Sequence, residues 1–337
     1  MRPMKYKIVI MTLLFTTSAI AQTIVDVHSH IVTDRYMQML RQHGAELEDG
    51  YPLPEWSVER HLAFMQEAGI DRAVLSMPSP QPYFDDAEES RLCIRSINKA
   101  AAKAKADYPD KFLFCASLPL PNVELAIREA LYALDSLGAD GIKLATNSRG
   151  QYLGDSVLDP LMEVLNARGA VVVLHPHTPA QRPENTFTGG PVFVYEYPAE
   201  TTRAVINMIE NNIMVRYPDI KFVVPHSGSF LPVALPRLRA AQPLLVKQEL
   251  MREVDIEKNL ANLYYDLAGG PASGMVKMLL TITTPDHLMY GSDFGFVPNA
   301  ALVTVLGRIK SYLKQDAELS GYSEMIFSEN ALKLFSK

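Results

Sequence analysis

The sequence predicts an α/β fold, a (β/α)8 or TIM barrel. From residue 22 onward, short apolar runs alternate with amphipathic stretches eight times, the pattern of a parallel sheet with crossover helices. The 337-residue length suits eight such units in one barrel. No G-x-G-x-x-G follows the first run, which argues against an open dinucleotide-binding sheet.

The expected strands are Ile24–His30, Arg72–Met77, Phe112–Leu118, Gly141–Ala145, Val171–His175, Lys221–His226, Leu263–Leu267 and Leu288–Ser292. Val58–Ala68 and Asn122–Leu137 carry apolar residues at helical spacing. Asn122 is a good N-cap, and Gly138 stops the second helix. Asp159–Arg168 and Glu200–Arg216 follow the same pattern. No low-complexity stretch divides the chain, so residues 22–337 read as one domain. Two long insertions, Ile31–Trp56 and Thr178–Ala199, read as functional loops over a site.

The first residues read differently. Arg2, Lys5 and Lys7 precede an apolar stretch, Ile8–Ala21, which ends in the small-x-small pattern Ala19-Ile20-Ala21. That predicts a signal peptide over residues 1–21, cleaved before Gln22, and an exported protein with no membrane attachment afterwards. The alternative is a retained anchor. Cleavage removes three basic residues and no acidic ones, taking the net charge from −6 to −9. Such a chain lacks the clustered Lys and Arg of a nucleic-acid surface. Export would permit Cys93 and Cys115 to pair; two buried thiols is the plainer expectation.

Polar residues gather at the ends of the expected strands. The first ends in His28 and His30, the fifth in His175 and the sixth in His226; the eighth runs into Asp293. In a barrel these ends share the C-terminal face, where active sites lie. His28 and His30 are two apart and therefore face one way. Burying several imidazoles with a carboxylate is costly unless a cation compensates, and imidazole with carboxylate suits a divalent ion such as zinc. Asp26 is expected to support a ligand or the barrel floor. His226 suits a general acid or base beside the metal, a further ligand being the alternative. His43, His61 and His287 read as structural. Trp56, Phe193, Tyr195 and Phe294 are candidate walls for an aromatic ligand, with ordinary packing as the alternative.

The pattern Asp26-x-His28-x-His30, LHPH around His175, VPHSGSFLP around His226 and YGSDF around Asp293 resembles the amidohydrolase superfamily. The likeness is to the branch of aminocarboxymuconate-semialdehyde and γ-resorcylate decarboxylases, and within it to 6-methylsalicylate decarboxylase-like proteins. It extends over non-catalytic stretches such as LPEWSVERHLAFMQEAGID and ETTRA. The resemblance implies a barrel of the metal-dependent hydrolase type. It implies one divalent ion, zinc before manganese, held by His28, His30, His175 and Asp293, with His226 catalytic. It also implies an arginine eleven residues further on, Arg237, that meets the substrate carboxylate, in some members across a subunit interface; a homodimer is expected on that ground.

Three departures stand out. The family's H-x-G-G becomes His226-Ser227-Gly228-Ser229. His177 stands where such decarboxylases often carry an aromatic, so it is expected to read a different ring substituent. And the relatives are usually cytoplasmic. Lys143, on the fourth strand, is expected to be an ordinary lysine rather than a carboxylated bridge between two metals. The expected reaction is non-oxidative decarboxylation of a small hydroxylated aromatic acid, with His226 or Asp293 delivering the proton to the ring. The alternative is metal-dependent hydrolysis of a lactone or amide on the same scaffold; an exported binding protein with a vestigial site is a third reading.

Overall fold

The computed structural model describes residues 22–181 and 190–336. The expected signal peptide lies outside the described residues. Eight parallel strands form one sheet in the order β1 to β8. They are β1 (Val25–His30), β2 (Arg72–Ser76), β3 (Phe112–Ser117), β4 (Gly141–Ala145), β5 (Val171–His175), β6 (Lys221–Val224), β7 (Leu263–Asp266) and β8 (Leu288–Met289). The segment leaving β8 closes the barrel on β1. Val27 N–H donates to Tyr290 O at 3.0 Å, Asp293 N–H to His28 O at 2.8 Å, and His30 N–H to Phe294 O at 3.2 Å.

The barrel interior is a layer of β-branched and small side chains. Val25, Val27, Val171, Val173, Val223 and Met289 pack together, and Phe335 of the C-terminal helix Asn330–Phe335 joins them. Gly141 is required in this layer: a Cβ there would sit 2.7 Å from Val171 O and 2.9 Å from Cys115 Sγ. Strict alternation cannot place both Val27 inside this layer and His28 on the site. The β1–β2 register slips between Asp26 and Ser29, and this irregularity re-aims the strand end. Cys93 and Cys115 are both buried thiols.

Helix Val58–Ala68 runs as expected, capped by Ser57 and by Gly69 in the left-handed region. Asn122 caps Val123–Asp135 by accepting from Leu125 N. Most boundaries shift by one or two residues, and three differences from the sequence reading have a clear physical cause. The sixth strand ends at Val224, because Pro225 has no N–H and His226 takes a positive φ of 54°. The eighth ends at Met289, because Ser292 N–H turns to the Asp26 carboxylate. The expected helix Glu200–Arg216 is two, Glu196–Glu210 and Ile213–Arg216, broken at Asn212 with φ 53°. Asparagine tolerates that conformation better than most residues. The first insertion carries its own helix, Asp34–Gln42. Among the described residues no helix is long and apolar enough to cross a membrane.

Candidate metal centre and substrate pocket

Three strand ends, those of β1, β5 and β6, and the turn after β8 bring one cluster together. Donor atoms of His28, His30 and His175 lie within 4.8 Å of one another, and so do those of His28, His226 and Asp293. His30 Nε2 is 3.0 Å from Asp293 Oδ1, and His28 Nε2 is 3.6 Å from the same oxygen. The other carboxylate oxygen of Asp293 lies 3.8 Å from His226 Nε2. Asp293 and His226 both take positive φ, 63° and 54°, so each side chain leaves its strand end at a sharp angle.

Three imidazoles are oriented from behind. His28 Nδ1 lies 2.8 Å from Asp266 Oδ2, His30 Nδ1 3.4 Å from Ser76 O, and His175 Nδ1 2.9 Å from Pro176 O. An acceptor on each Nδ1 leaves the Nε2 lone pairs facing inward, the tautomer a metal ligand needs. His28 Nε2 is buried and has no hydrogen-bond partner. A buried nitrogen without a partner is costly, and a divalent ion among these donors would satisfy it. The residues fit such an ion.

The electrostatics agree. Burial pushes the pKa of His28 down, but the Asp266 carboxylate, with Asp293 and Asp26 beyond it, outweighs burial and raises it to about 9. The site therefore attracts positive charge where His28 stands. Burial, followed by neighbouring cationic groups, holds His175 well below its ordinary value, and burial also lowers His30. Asp293 is pushed up by burial, yet the neighbouring imidazoles of His226, His30 and His28 hold it well below the usual carboxylate range. Burial raises Asp26 to about 7 against hydrogen bonds from Ser292 and His28. Asp26 accepts from Ser292 N–H at 2.9 Å and His28 N–H at 3.1 Å. It thus pins the turn that carries Asp293 instead of touching the imidazole cluster.

Above the cluster lies a cavity of about 590 Å³. His175, His226 and Asp293 form its floor, with Asp49, Ser79 and Tyr197 beside them. Its walls are apolar: Tyr51, Leu53, Phe193, Phe230, Met275 and Phe296. This is the usual construction of a small-molecule site, an apolar cleft with a few polar groups.

The structure places several expected substrate residues elsewhere. Trp56 donates from Nε1 to His61 Nδ1 at 3.2 Å and does not line the cavity. Phe294 stacks on Phe64 with ring centroids 4.4 Å apart, on the helix side of the strand. His177 is buried beside the cavity, its Nε2 3.9 Å from Glu48. Tyr195 is exposed and leans on Phe230. These four are corrected to positions outside the cavity lining, because each has found a partner in the surrounding wall. Arg237 is exposed on helix Leu231–Lys247 and also lies outside the lining. Phe193 does line the cavity. Asp266, Asp49 and Tyr197 escaped the sequence reading. Asp266 sits at a strand end, YYD, and the rule that picked out the histidines applies to it equally; Asp49 and Tyr197 lie in the insertions, where no periodicity marks them.

The amidohydrolase family model matches residues 25–337. The 6-methylsalicylic acid decarboxylase of Penicillium expansum is 29% identical over 293 residues, covering 86% of this chain and 90% of its own. A solved amidohydrolase II superposes with a TM-score of 0.85 at 32% identity, covering 94% of this chain and all of that one. The 5-carboxyvanillate decarboxylase of Novosphingobium aromaticivorans, solved with manganese and a nitrobenzoic acid, has the same fold, with a TM-score of 0.78 at 22% identity over 94% and 96% of the two chains. This chain belongs to the amidohydrolase family, on a (β/α)8 barrel.

Proposed function

We propose that the protein is a metal-dependent, non-oxidative decarboxylase of a small hydroxylated aromatic acid of the 6-methylsalicylate kind. One observation carries this reading: the cluster of His28, His30, His175 and Asp293 meets an apolar cavity, with His175 and Asp293 in the cavity floor beside His226, in a chain whose relatives act on aromatic carboxylates. These four residues hold one divalent ion, zinc first and manganese second, manganese being the ion in the carboxyvanillate enzyme.

When bound, the ion supplies the positive charge that fixes an acidic substrate and withdraws electron density from its ring. The chain does the rest. Phe193, Tyr51 and Phe296 flank the ring and keep water off it. Loss of CO2 requires a proton on the ring carbon that bears the carboxylate. The carbon–carbon bond then breaks, its electron pair returns to the ring, and CO2 leaves. Asp293 and His226 face each other across 3.8 Å at that place, and one of them delivers the proton. Arg237 reaches substrate, in this reading, from a second copy of the chain. Exposed Val233 and Met275 at the cavity rim are the apolar surface such a homodimer would cover. Export through residues 1–21 belongs to the same reading, on the basic and apolar pattern there.

The test is a product screen. CO2 release from 6-methylsalicylate or a related hydroxybenzoate, lost in His226→Ala, supports decarboxylation. Hydrolysis of a lactone or amide panel without CO2 from any acid overturns it.

A further inference from the structure

Thr146, the residue that follows β4, brackets His175. Its N–H donates to His175 O at 3.0 Å, and its hydroxyl oxygen accepts the His177 N–H at 3.1 Å. That N–H belongs to the Pro176–His177 peptide. The carbonyl of the same peptide accepts from His175 Nδ1 at 2.9 Å and from the Ser79 hydroxyl at 2.6 Å, one bond for each of its two lone pairs. A peptide unit is rigid and planar, so whatever fixes its N–H also fixes where its C=O points. Thr146 is itself held firmly. It is fully buried, and the hairpin that follows it, Asn147–Ser148 paired with Gln151–Tyr152, is anchored on Glu200. Asn147 Nδ2 donates to Thr178 O at 3.3 Å and to Glu200 Oε2 at 3.0 Å, and the Tyr152 hydroxyl donates to the same Glu200 oxygen at 2.5 Å. Glu200 opens ETTRA, a stretch none of whose residues lines the cavity.

We propose that Thr146 is a positioning residue for His175: its hydroxyl holds the Pro176–His177 peptide in the orientation that keeps the His175 Nε2 lone pair aimed at the ion. This rests on the metal-centre reading above. The carbonyl of that peptide takes the His175 Nδ1 proton, so the proton stays on Nδ1 and Nε2 stays free for the metal. Removing the Thr146 hydroxyl leaves the buried His177 N–H without its acceptor, which costs about 1–3 kcal/mol. The peptide turns to recover a partner, and the Pro176 carbonyl turns with it. His175 then loses the acceptor behind it. Groups that orient a metal-bound imidazole influence metal affinity strongly.

The test measures zinc affinity of the purified full chain by competition with a chromophoric chelator, with circular dichroism checking the fold of each variant. Thr146→Val keeps the side-chain shape and removes the acceptor; it is expected to weaken binding by about ten- to a hundredfold. Thr146→Ala removes the same acceptor by a different change of shape and should do likewise. Thr146→Ser keeps the hydroxyl and should stay within about twofold of wild type. Thr202→Val is the matched control. The Thr202 hydroxyl also ties two loop groups, accepting from Phe230 N–H at 3.0 Å and donating to Pro198 O at 2.8 Å, but it does so away from the Pro176–His177 peptide. Its loss should leave zinc affinity within about twofold. If Thr202→Val weakens zinc as much as Thr146→Val, the effect is general loosening and the inference falls. It falls too if Thr146→Ser binds as weakly as Thr146→Val, or if a folded Thr146→Val or Thr146→Ala binds zinc as the wild type does. In those cases the metal centre itself stands. A wild type that takes up no zinc or manganese overturns the metal-centre reading and this inference with it.

Discussion

His28 Nδ1 lies 2.8 Å from Asp266 Oδ2, and the other oxygen of the same carboxylate accepts the backbone N–H groups of His226 and Ala268, each at 3.0 Å. One buried side chain thus orients a histidine of the cluster and pins the turn that presents His226. Asp266→Asn keeps the shape but offers His28 a neutral acceptor. Metal affinity is expected to fall by about ten- to a hundredfold, measured by chelator competition, with CO2 release falling alongside. Unchanged affinity in a folded variant would remove Asp266 from the site.

The turn after β6 is strained. His226, Ser227, Gly228 and Ser229 all have positive φ, and Ser229 stands at φ 55°, ψ −122°, a conformation glycine favours. Relieving a left-handed residue recovers about 1–2 kcal/mol, less the extra chain entropy that glycine brings, about 0.5–1 kcal/mol. Ser229→Gly is therefore expected to raise stability by about 1 kcal/mol, a shift of about 2 °C in Tm for a chain this long. Calorimetry checks it. A lower Tm would show that the Ser229 side chain supports the turn more than its backbone strains it.

His61 sets a pH limit on the fold. Burial, with a smaller contribution from His30, lowers its pKa to about 3, against about 6.5 in an unfolded chain. Between those values the unfolded state binds the extra proton. Stability associated with His61 is intact above about pH 6.5 and is lost as pH falls toward 3, by about 1.4 kcal/mol per pH unit. Denaturant unfolding at pH 7.5 and 5.0 measures this. His61→Gln keeps an acceptor for Trp56 Nε1 and should lose about 2 kcal/mol less across that interval. Equal losses in variant and wild type would show that His61 takes up its proton without unfolding.

The barrel and its histidines were legible because they follow from position. Apolar runs mark the strands, and a polar residue at a strand end stands on the C-terminal face; His28, His30, His175, His226 and Asp293 all follow that rule, and the structure brings them together. Residue type alone was a poorer guide to the cavity. Trp56 and Phe294 are aromatic and near the site in sequence, but each side chain's direction depends on a turn whose geometry the sequence does not declare. The register slip in β1 is of the same kind. So are the positive-φ residues 226 and 293; next to them two strands end early, where the His226 and Ser292 N–H groups turn to the carboxylates of Asp266 and Asp26. Asp49 and Tyr197 were hidden because insertions carry no periodicity to read.

The central claim is that one divalent ion at His28, His30, His175 and Asp293 supports CO2 release. Metal stoichiometry and CO2 evolution from 6-methylsalicylate, measured together on the same preparation before chelation, after it, and after returning zinc or manganese, test this directly. The account predicts one ion per chain, loss of CO2 release on stripping, recovery on return of the ion, and neither binding nor recovery in His30→Ala. Undiminished CO2 release from metal-free protein would contradict it.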